Sequence, residues 1–384
     1  MKIFYAVVLA AVAVACQRPD SEPVKKPSGP VWAEISWNSI ADSCTFVLVD
    51  NFLDKKKGTF WASPGNAGND SEFIYWQQAH ALDVLVWSYE RIKDSNPELA
   101  AEYRRYFELW FDNDANNYNN SRESDGVHGG FYNAYTDDMC WICLTMMHLS
   151  EALGDDKYAT VAKVVYDNYI IPRKVAGGGL PWTNEEGKTG QNACTNSPGC
   201  LLAAKLYVRF QEDRYLNDAL ELYSFMYNKR LSSDFRVEEP PLTYTQGTFG
   251  EACRQLYHIT GDRKYMDVAE RVLQYAFISD RCTTNGLLRS EGESVDQSIF
   301  KAVLIPYAVN YCLDEKGIKT IRDNLKNLIE TNAKALNRSL ERAAWPQMYA
   351  NYYWGKPFDR SKMASMGAQT SGASLMEGIA RLKK

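Results

Sequence analysis

Apolar and polar positions along the chain define two kinds of helix-length segment. One kind is apolar nearly all round, which is typical of a helix surrounded by protein. The other kind has an apolar stripe at helical spacing and a charged opposite face, as on a helix that covers a core. The apolar segments span residues 76–91, 138–152, 198–211, 247–259, 297–313 and 370–383, and the amphipathic ones span 33–53, 97–112, 156–170, 213–228, 263–278 and 317–335.

An internal repeat relates these segments. One turn and helix start recurs as LGDDKYATVA at 153–162, FQEDRYLNDA at 210–219 and ITGDRKYMDVA at 259–269. Tyrosines fall in equivalent places with separations of 55, 57 and 50 residues, at Tyr103, Tyr158, Tyr215 and Tyr265. A repeat of this length in helical sequence indicates stacked helix pairs. We therefore predict an all-α fold, an (α/α)6 toroid of six inner and six outer helices.

The connections between the predicted helices are asymmetric. Links from an inner to an outer helix are short, whereas those from an outer to an inner helix are long, at 54–75, 113–137, 171–197, 229–246, 279–296 and 336–369. Long loops in a compact domain are usually functional. All six enter the N-terminal ends of inner helices, so we expect them to gather on one face and form a cleft there.

Composition narrows the ligands that such a cleft would take. The net charge is −5 and no basic patch stands out, so nucleic acid is not expected. The four histidines lack ligand spacing, and we expect no metal and no cofactor. The predicted cleft face is rich in acids, amides and tryptophan, which suit a neutral, hydroxyl-rich ligand such as carbohydrate.

The cysteines allow more than one interpretation. Cys140 and Cys143 form a CxxC pair, but they lie in an apolar helix run without a second CxxC, so buried thiols are favoured over a redox or zinc site. Cys194 and Cys200 lie in one predicted loop and could form a disulfide, which the sequence does not decide.

The first 16 residues are typical of an export signal. Lys2 precedes an apolar run, and Cys16 follows a small residue, as at the cleavage site of a bacterial lipoprotein. We expect a signal peptide at 1–16 with lipidation of Cys16, a flexible tether at 17–31 and a single catalytic domain at 32–384. The protein would then be exported and lipid-anchored to a bacterial (outer) membrane, at the cell surface or the periplasmic face; an ordinary signal peptide is the alternative.

Two adjacent acids, Asp137 and Asp138, stand at the start of a predicted helix that is apolar nearly all round. Thr136 or Asp137 could cap this helix, and acids at helix starts also complement the helix dipole. The pair also fits glycoside hydrolysis, which needs one carboxylate to attack or to activate water and one carboxylic acid to protonate the leaving oxygen. A negative neighbour would raise the pKa of the second acid, as an acid catalyst requires.

The chain resembles glycoside hydrolase family 76, the α-1,6-mannanases. The resemblance lies in GGFYN at 129–133, YTDD at 135–138 with Trp141, GGLPW at 178–182, CTN at 194–196, EE at 238–239, YTQG at 244–247 and QTSG at 369–372. It implies an (α/α)6 fold and a retaining, endo-acting enzyme that cleaves α-1,6-mannosidic linkages. It also implies Asp137 as the nucleophile and Asp138 as the acid/base.

Further residues of the cleft are candidates for substrate binding, each with a structural alternative. Trp76 and Trp182 would stack on sugar rings or belong to the core, and Trp141 would form a wall of the site. Asn133 and Asn196 are candidates from the family motifs. Gln246 would bind sugar hydroxyls or cap its helix, and Glu239 would bind sugar or be a solvated loop acid.

Two other functions remain open at this stage. A mannan transglycosidase would use the same residues, and a lipid-anchored glycan-binding protein without catalysis would keep the aromatic residues. The presence of both acids favours the enzyme. We expect a monomer whose partners are a mannan or manno-oligosaccharide substrate and, through its lipid, a membrane.

Overall fold

The computed structural model describes residues 36–68, 75–113, 131–185, 188 and 190–384. The expected signal peptide, tether and lipidated Cys16 lie outside these ranges, as does the Gly129–Gly130 pair of the family motif. The regular secondary structure of the described chain is helical apart from one short hairpin of strands β1 and β2 at Thr283–Thr284 and Leu287–Leu288.

Six helices form an inner ring. They are α2 (Trp76–Ile92), α4 (Thr136–Leu153), α6 (Ala193–Phe210), α8 (Thr243–Thr260), α10 (Val295–Leu313) and α12 (Met366–Leu382). Each packs against the next, and α12 packs against α2, which closes the ring. Residues 136–150 of α4 are all buried, as the apolar pattern predicts for a helix enclosed by its neighbours.

Six amphipathic helices surround the ring. They are α1 (Trp37–Phe52), α3 (Pro97–Asn113), α5 (Asp156–Val165), α7 (Asp213–Lys229), α9 (Arg263–Ile278) and α11 (Lys319–Ser339). The outer helices α3, α5, α7, α9 and α11 each pack on the inner helix that precedes them in the chain, and α1 packs on α12. The four repeat tyrosines, Tyr103, Tyr158, Tyr215 and Tyr265, are all buried in equivalent outer helices. The predicted (α/α)6 toroid is confirmed.

Helices α6 and α8 begin five and four residues earlier than the sequence predicts, and α12 also begins four residues early, at Met366 rather than residue 370. Helix α6 starts at Ala193 rather than residue 198, because the Asn192 side chain accepts from the backbone N–H of Thr195 and so caps the helix upstream of Pro198. Helix α8 starts at Thr243 rather than residue 247. Both helices therefore extend farther toward the long loops, and Cys194 and Cys200 lie within α6 instead of a loop. All cysteines in the described chain are free thiols.

Close packing between inner helices depends on small residues. A Cβ atom added to Gly247 in α8 would lie 2.7 Å from the Cα of Leu304 in α10, so only glycine fits at this crossing. The described ends of the long loops lead into the N-terminal ends of the inner helices. In the described part of the chain, no helix is both long enough and apolar enough to cross a bilayer.

Candidate active site

Asp137 and Asp138 lie in the first turn of α4, and each is only 9% exposed. Neither Thr136 nor Asp137 caps the helix as the sequence predicted, since the N-cap residue is Tyr135 and it makes no side-chain cap bond. Instead, the N–H of Thr136 donates to the Trp182 carbonyl oxygen at 2.8 Å. The guanidinium of Arg173 donates to Thr136 Oγ1 at 3.1 Å. A neighbouring loop and an arginine therefore fix the start of the helix that carries the acids.

The carboxylate of Asp137 accepts hydrogen bonds through one oxygen. Its Oδ2 accepts from Trp182 Nε1 at 3.1 Å and from the Cys194 thiol at 3.3 Å. Its Oδ1 is buried and has no hydrogen-bond partner within the described residues. Burial raises the pKa of Asp137 to about 6, and Cys194, nearby N–H groups of the first helical turn and Trp182 oppose that rise. The donors stabilise the ionised form and leave Oδ1 for another partner.

Asp138 has a different environment from its neighbour. Burial raises its pKa well above the ordinary value, and the negative charges of Asp137 and Asp296 raise it further. No donor among the described residues offsets these effects. Two adjacent carboxyl groups therefore differ in protonation, with Asp137 ionising before Asp138. Such a pair can supply a carboxylate and a carboxylic acid at the same pH.

An aromatic cluster from four inner helices lies beside the acids. We call Trp76, Trp141, Tyr244 and Phe300 the aromatic floor. Tyr244 and Phe300 stack with ring centroids 4.2 Å apart, and Trp76 lies 6.0 Å from Phe300 and 6.5 Å from Trp141. Trp141 is nearly fully buried, whereas Trp76 is half-buried. Trp141 is thus placed as part of the wall, and Trp76 keeps a surface that a ligand can reach.

Trp182 is the most exposed of the candidate aromatic residues, at 42%. Its ring lies 5.0 Å from that of Tyr135, and its indole N–H binds Asp137. The backbone around it pairs with the segment before α4 through a bridge between Tyr135 and Thr183. The structure therefore brings an exposed aromatic face directly to one of the two acids.

Three residues predicted to bind substrate are buried, and their amide side chains bind backbone groups of the loops. Asn133 accepts from the N–H of Tyr135, and Asn196 pairs with both the N–H and the carbonyl oxygen of Leu180. Gln246 donates to the carbonyl oxygen of Val237. Asn133, Asn196 and Gln246 have no exposed surface. The amides of Asn133, Asn196 and Gln246 face backbone groups that would otherwise be unpaired, and direct sugar contact by these residues stays a prediction.

Glu239 lies at the rim rather than beside the acid pair. Its carboxylate is half exposed and forms ion pairs with Arg236 and Arg281. The preceding Glu238 accepts from the N–H of Ala193 at 2.9 Å and so serves the N-terminus of α6. The solvated-acid alternative thus fits the position of Glu239 better than sugar binding does.

Sequence reasoning assigned no role to three residues that contact the site. Cys194 was considered only as a disulfide partner, but its thiol donates to Asp137. Tyr244 was placed on the cleft face and is part of the aromatic floor. Asp296 was placed on the same face, and it accepts from Trp76 Nε1 at 3.0 Å. Its position as an acid in the first turn of an inner helix, like Asp137 and Asp138, is the signal that could have identified it.

The fold and the site together define a class of protein. A closed (α/α)6 ring that presents two adjacent buried carboxyl groups beside aromatic rings has the parts of a glycoside hydrolase. The sequence profile of glycosyl hydrolase family 76 matches residues 36–382, and the chain belongs to that family. No curated protein matches the chain.

Solved structures share the fold over nearly the whole described chain. The α-1,6-mannanase GH76A of Salegentibacter sp. HEL1_6 is 24% identical with a TM-score of 0.76, covering 90% of this chain and 99% of that one. A protein from Listeria innocua is 21% identical with a TM-score of 0.77, covering 91% and 98%. A family 76 mannosidase from Bacteroides thetaiotaomicron VPI-5482 is 19% identical with a TM-score of 0.70, covering 90% and 98%.

Proposed function

We propose that the protein is an endo-acting α-1,6-mannanase that works with retention of configuration. The observation that carries this proposal is the pair Asp137 and Asp138, buried side by side at the start of one inner helix, where Trp182 and Cys194 donate to Asp137. Two solved relatives support the substrate class. They are variants of the Salegentibacter enzyme, described as inactive, with two consecutive aspartates replaced, in complex with α-1,6-linked mannose oligosaccharides.

The first step would use the two acids together. An oxygen of the Asp137 carboxylate attacks the anomeric carbon of a mannose residue while the bond from that carbon to the O6 of the next residue breaks. Asp138 gives its proton to the departing O6, which leaves as a hydroxyl. Trp182 and Cys194 donate to Oδ2 of Asp137 and so fix the orientation of the attacking carboxylate.

The second step would reverse the roles. Asp138, now ionised, takes a proton from water, and the water oxygen attacks the anomeric carbon as the bond to Asp137 breaks. Two displacements at the same carbon restore the original configuration. The exposed face of Trp182 and the accessible part of Trp76 would stack on mannose rings.

The size of the products over time tests this proposal. The full chain is incubated with linear α-1,6-mannan, and the products are separated by length. We expect oligosaccharides of intermediate length early in the reaction, and none with the Asp137→Ala, Asp138→Ala double variant. Release of mannose alone would contradict endo action. Products longer than the starting chains would favour the transglycosidase, and binding without any product would favour a glycan-binding protein.

We further propose that Cys16 carries a lipid that anchors the enzyme to a membrane. This rests on the charged residue, apolar run and small residue that precede Cys16 in the sequence. The polar, proline-bearing segment that follows would act as a tether between the lipid and the catalytic ring.

A further inference from the structure

A third carboxylate, that of Asp296, faces the cleft from the second residue of α10. One of its oxygens, Oδ1, accepts from Trp76 Nε1 at 3.0 Å and also from the Gln77 amide, both on α2. Its other oxygen has no hydrogen-bond partner among the described residues, and Asp296 as a residue is exposed. Trp76 and Gln77 on α2 therefore hold the Asp296 carboxylate of α10 across the entrance of the ring.

The position of Asp296 connects it to both parts of the site. The Trp76 ring to which it bonds lies 6.0 Å from Phe300, one helical turn farther along α10, and 6.5 Å from Trp141. Trp141 is three residues after Asp138 and so lies on the same face of α4. Asp296 is near enough to Asp138 for its charge to act on that carboxyl group.

We propose that Asp296 is a positioning residue of the active site. From the opposite helix α10, its negative charge acts on the carboxyl group of Asp138, and its bonded oxygen fixes the Trp76 ring. The proposal rests on the proposed function, in which Asp138 is the acid that protonates the leaving oxygen. Asp296 itself is not required to touch the reacting atoms.

The charge of Asp296 acts in a setting with few other charges. From α4, Asp137 contributes a negative charge. From α6 and α8, Cys194 and Tyr244 are neutral at ordinary pH because burial raises the pKa of each.

On α2, burial lowers the pKa of His80 to about 4, so this ring is also neutral, and the Asp83 carboxylate bonds to His148 at 3.0 Å. Arg173 is directed to the carbonyl oxygens of Asn133 and Ala134 and to the hydroxyl of Thr136. Among the described groups, Asp137 and Asp296 are thus the charges that most directly keep the proton on Asp138.

The test compares variants that separate the two roles. Asp296→Asn keeps an oxygen that can accept from Trp76 but removes the charge. Asp296→Glu keeps the charge. Trp76→Phe keeps the charge of Asp296 and most of the ring but removes the N–H donor. Circular dichroism and thermal melting show that each variant is folded.

The primary readout is the titration of the Asp138 carboxyl group in full-length protein with ¹³C-labelled aspartate, assigned with Asp138→Asn. With Asp296→Asn, we expect the midpoint of this titration to fall by roughly one pH unit, since a like charge has been removed. Asp296→Glu should restore most of the shift, and Trp76→Phe should leave it unchanged. An unmoved titration in folded Asp296→Asn overturns the proposal, and Asp296→Glu provides the second comparison if the asparagine variant does not fold.

The pH profile of kcat/KM on α-1,6-mannan is the second readout. Its basic limb reports the acid in the free enzyme, so Asp296→Asn should move that limb to lower pH by a similar amount. Trp76→Phe should instead raise KM several-fold without moving the limb. If the wild-type protein does not cleave mannan while the titration shifts as expected, the proposed function has failed and the electrostatic role of Asp296 stands.

Discussion

Asp137 and Asp138 are chemically identical side chains whose surroundings give them different properties. Asp137 accepts hydrogen bonds from an indole N–H and a thiol. Asp138 is buried near the negative charges of Asp137 and Asp296. The sequence could identify this pair because two adjacent acids precede an apolar helix run and belong to the YTDD motif that Trp141 follows. It could not show the donors, because Trp182 and Cys194 are 45 and 57 residues away from Asp137 along the chain.

Substituting each acid separately should expose its role. Asp137→Ala should abolish turnover on every substrate, because no glycosyl-enzyme intermediate can form. Asp138→Ala should be severe on mannan but milder on an aryl mannoside, whose leaving group departs without a proton. Azide should rescue the Asp138 variant with retained configuration. The measurement is kcat/KM on both substrates, with the product anomer followed by NMR; reversed behaviour of the two variants would show that the roles are exchanged.

Cys194 should set the acid side of the pH profile. Its thiol bond lowers the pKa of Asp137, so Cys194→Ala should raise that pKa and move the acid limb of kcat/KM from near pH 6 to higher pH. Cys200→Ala is a matched control, because the Cys200 thiol is buried in the same helix but donates to the carbonyl oxygen of Ala219. Equal acid limbs in the wild type and Cys194→Ala would show that the thiol does not influence Asp137.

At the scale of the elements, amide side chains near the starts of inner helices hold the long loops in place. Each pairs with the backbone of the loop that precedes its helix, and the pairs are Gln78 with Phe60, Asn196 with Leu180, Gln246 with Val237 and Gln369 with Ala350. Among these amides, the sequence predicted the cleft face for Asn196 and Gln246. It suggested sugar binding for two of them because periodicity locates a residue but does not say which way its amide is directed.

Removing one of these amides should loosen one loop. Asn196→Ala leaves the N–H and carbonyl oxygen of buried Leu180 without their partner and should lower the free energy of unfolding by about 2 kcal/mol. It should also reduce kcat on mannan, because the Leu180 segment leads directly to Trp182. Gln369→Ala is the control, since it destabilises a loop that does not carry Trp182.

Chemical denaturation and steady-state kinetics on the two variants measure these effects separately. A similar loss of kcat in both variants would mean that the Asn196 effect is general destabilisation. A normal stability of Asn196→Ala would mean that water replaces the amide.

At the scale of the whole molecule, the closed ring of inner helices explains why the fold could be predicted from the sequence. An inner helix that is apolar on all sides is stable only when its neighbours enclose it, so the pattern predicts many helix pairs acting together. The packing of α12 on α2 completes that enclosure. The sequence predicted the starts of α6 and α8 too late, because the first turns of both helices are polar and resemble loop sequence. In α6, an asparagine also caps the helix at its true start.

The proposed anchor is a property of the whole chain that can be tested apart from catalysis. Cys16→Ala should release the protein from the membrane fraction, because the thiol that would carry the lipid is absent. Mannan hydrolysis per molecule should be unchanged, since the catalytic ring begins some 20 residues later. Cell fractionation with immunodetection measures the distribution, with Cys44→Ala as the control. Continued membrane association of Cys16→Ala would contradict the anchor.

The central claim is that Asp137 forms a covalent bond to mannose during turnover. The most direct measurement is trapping with an activated 2-deoxy-2-fluoro mannoside, followed by intact-protein mass spectrometry and peptide mapping. We predict a mass increase of one fluoromannosyl group on the peptide that contains Asp137, absent in Asp137→Ala. An adduct on another residue, or steady hydrolysis of mannan by Asp137→Ala, would contradict this account.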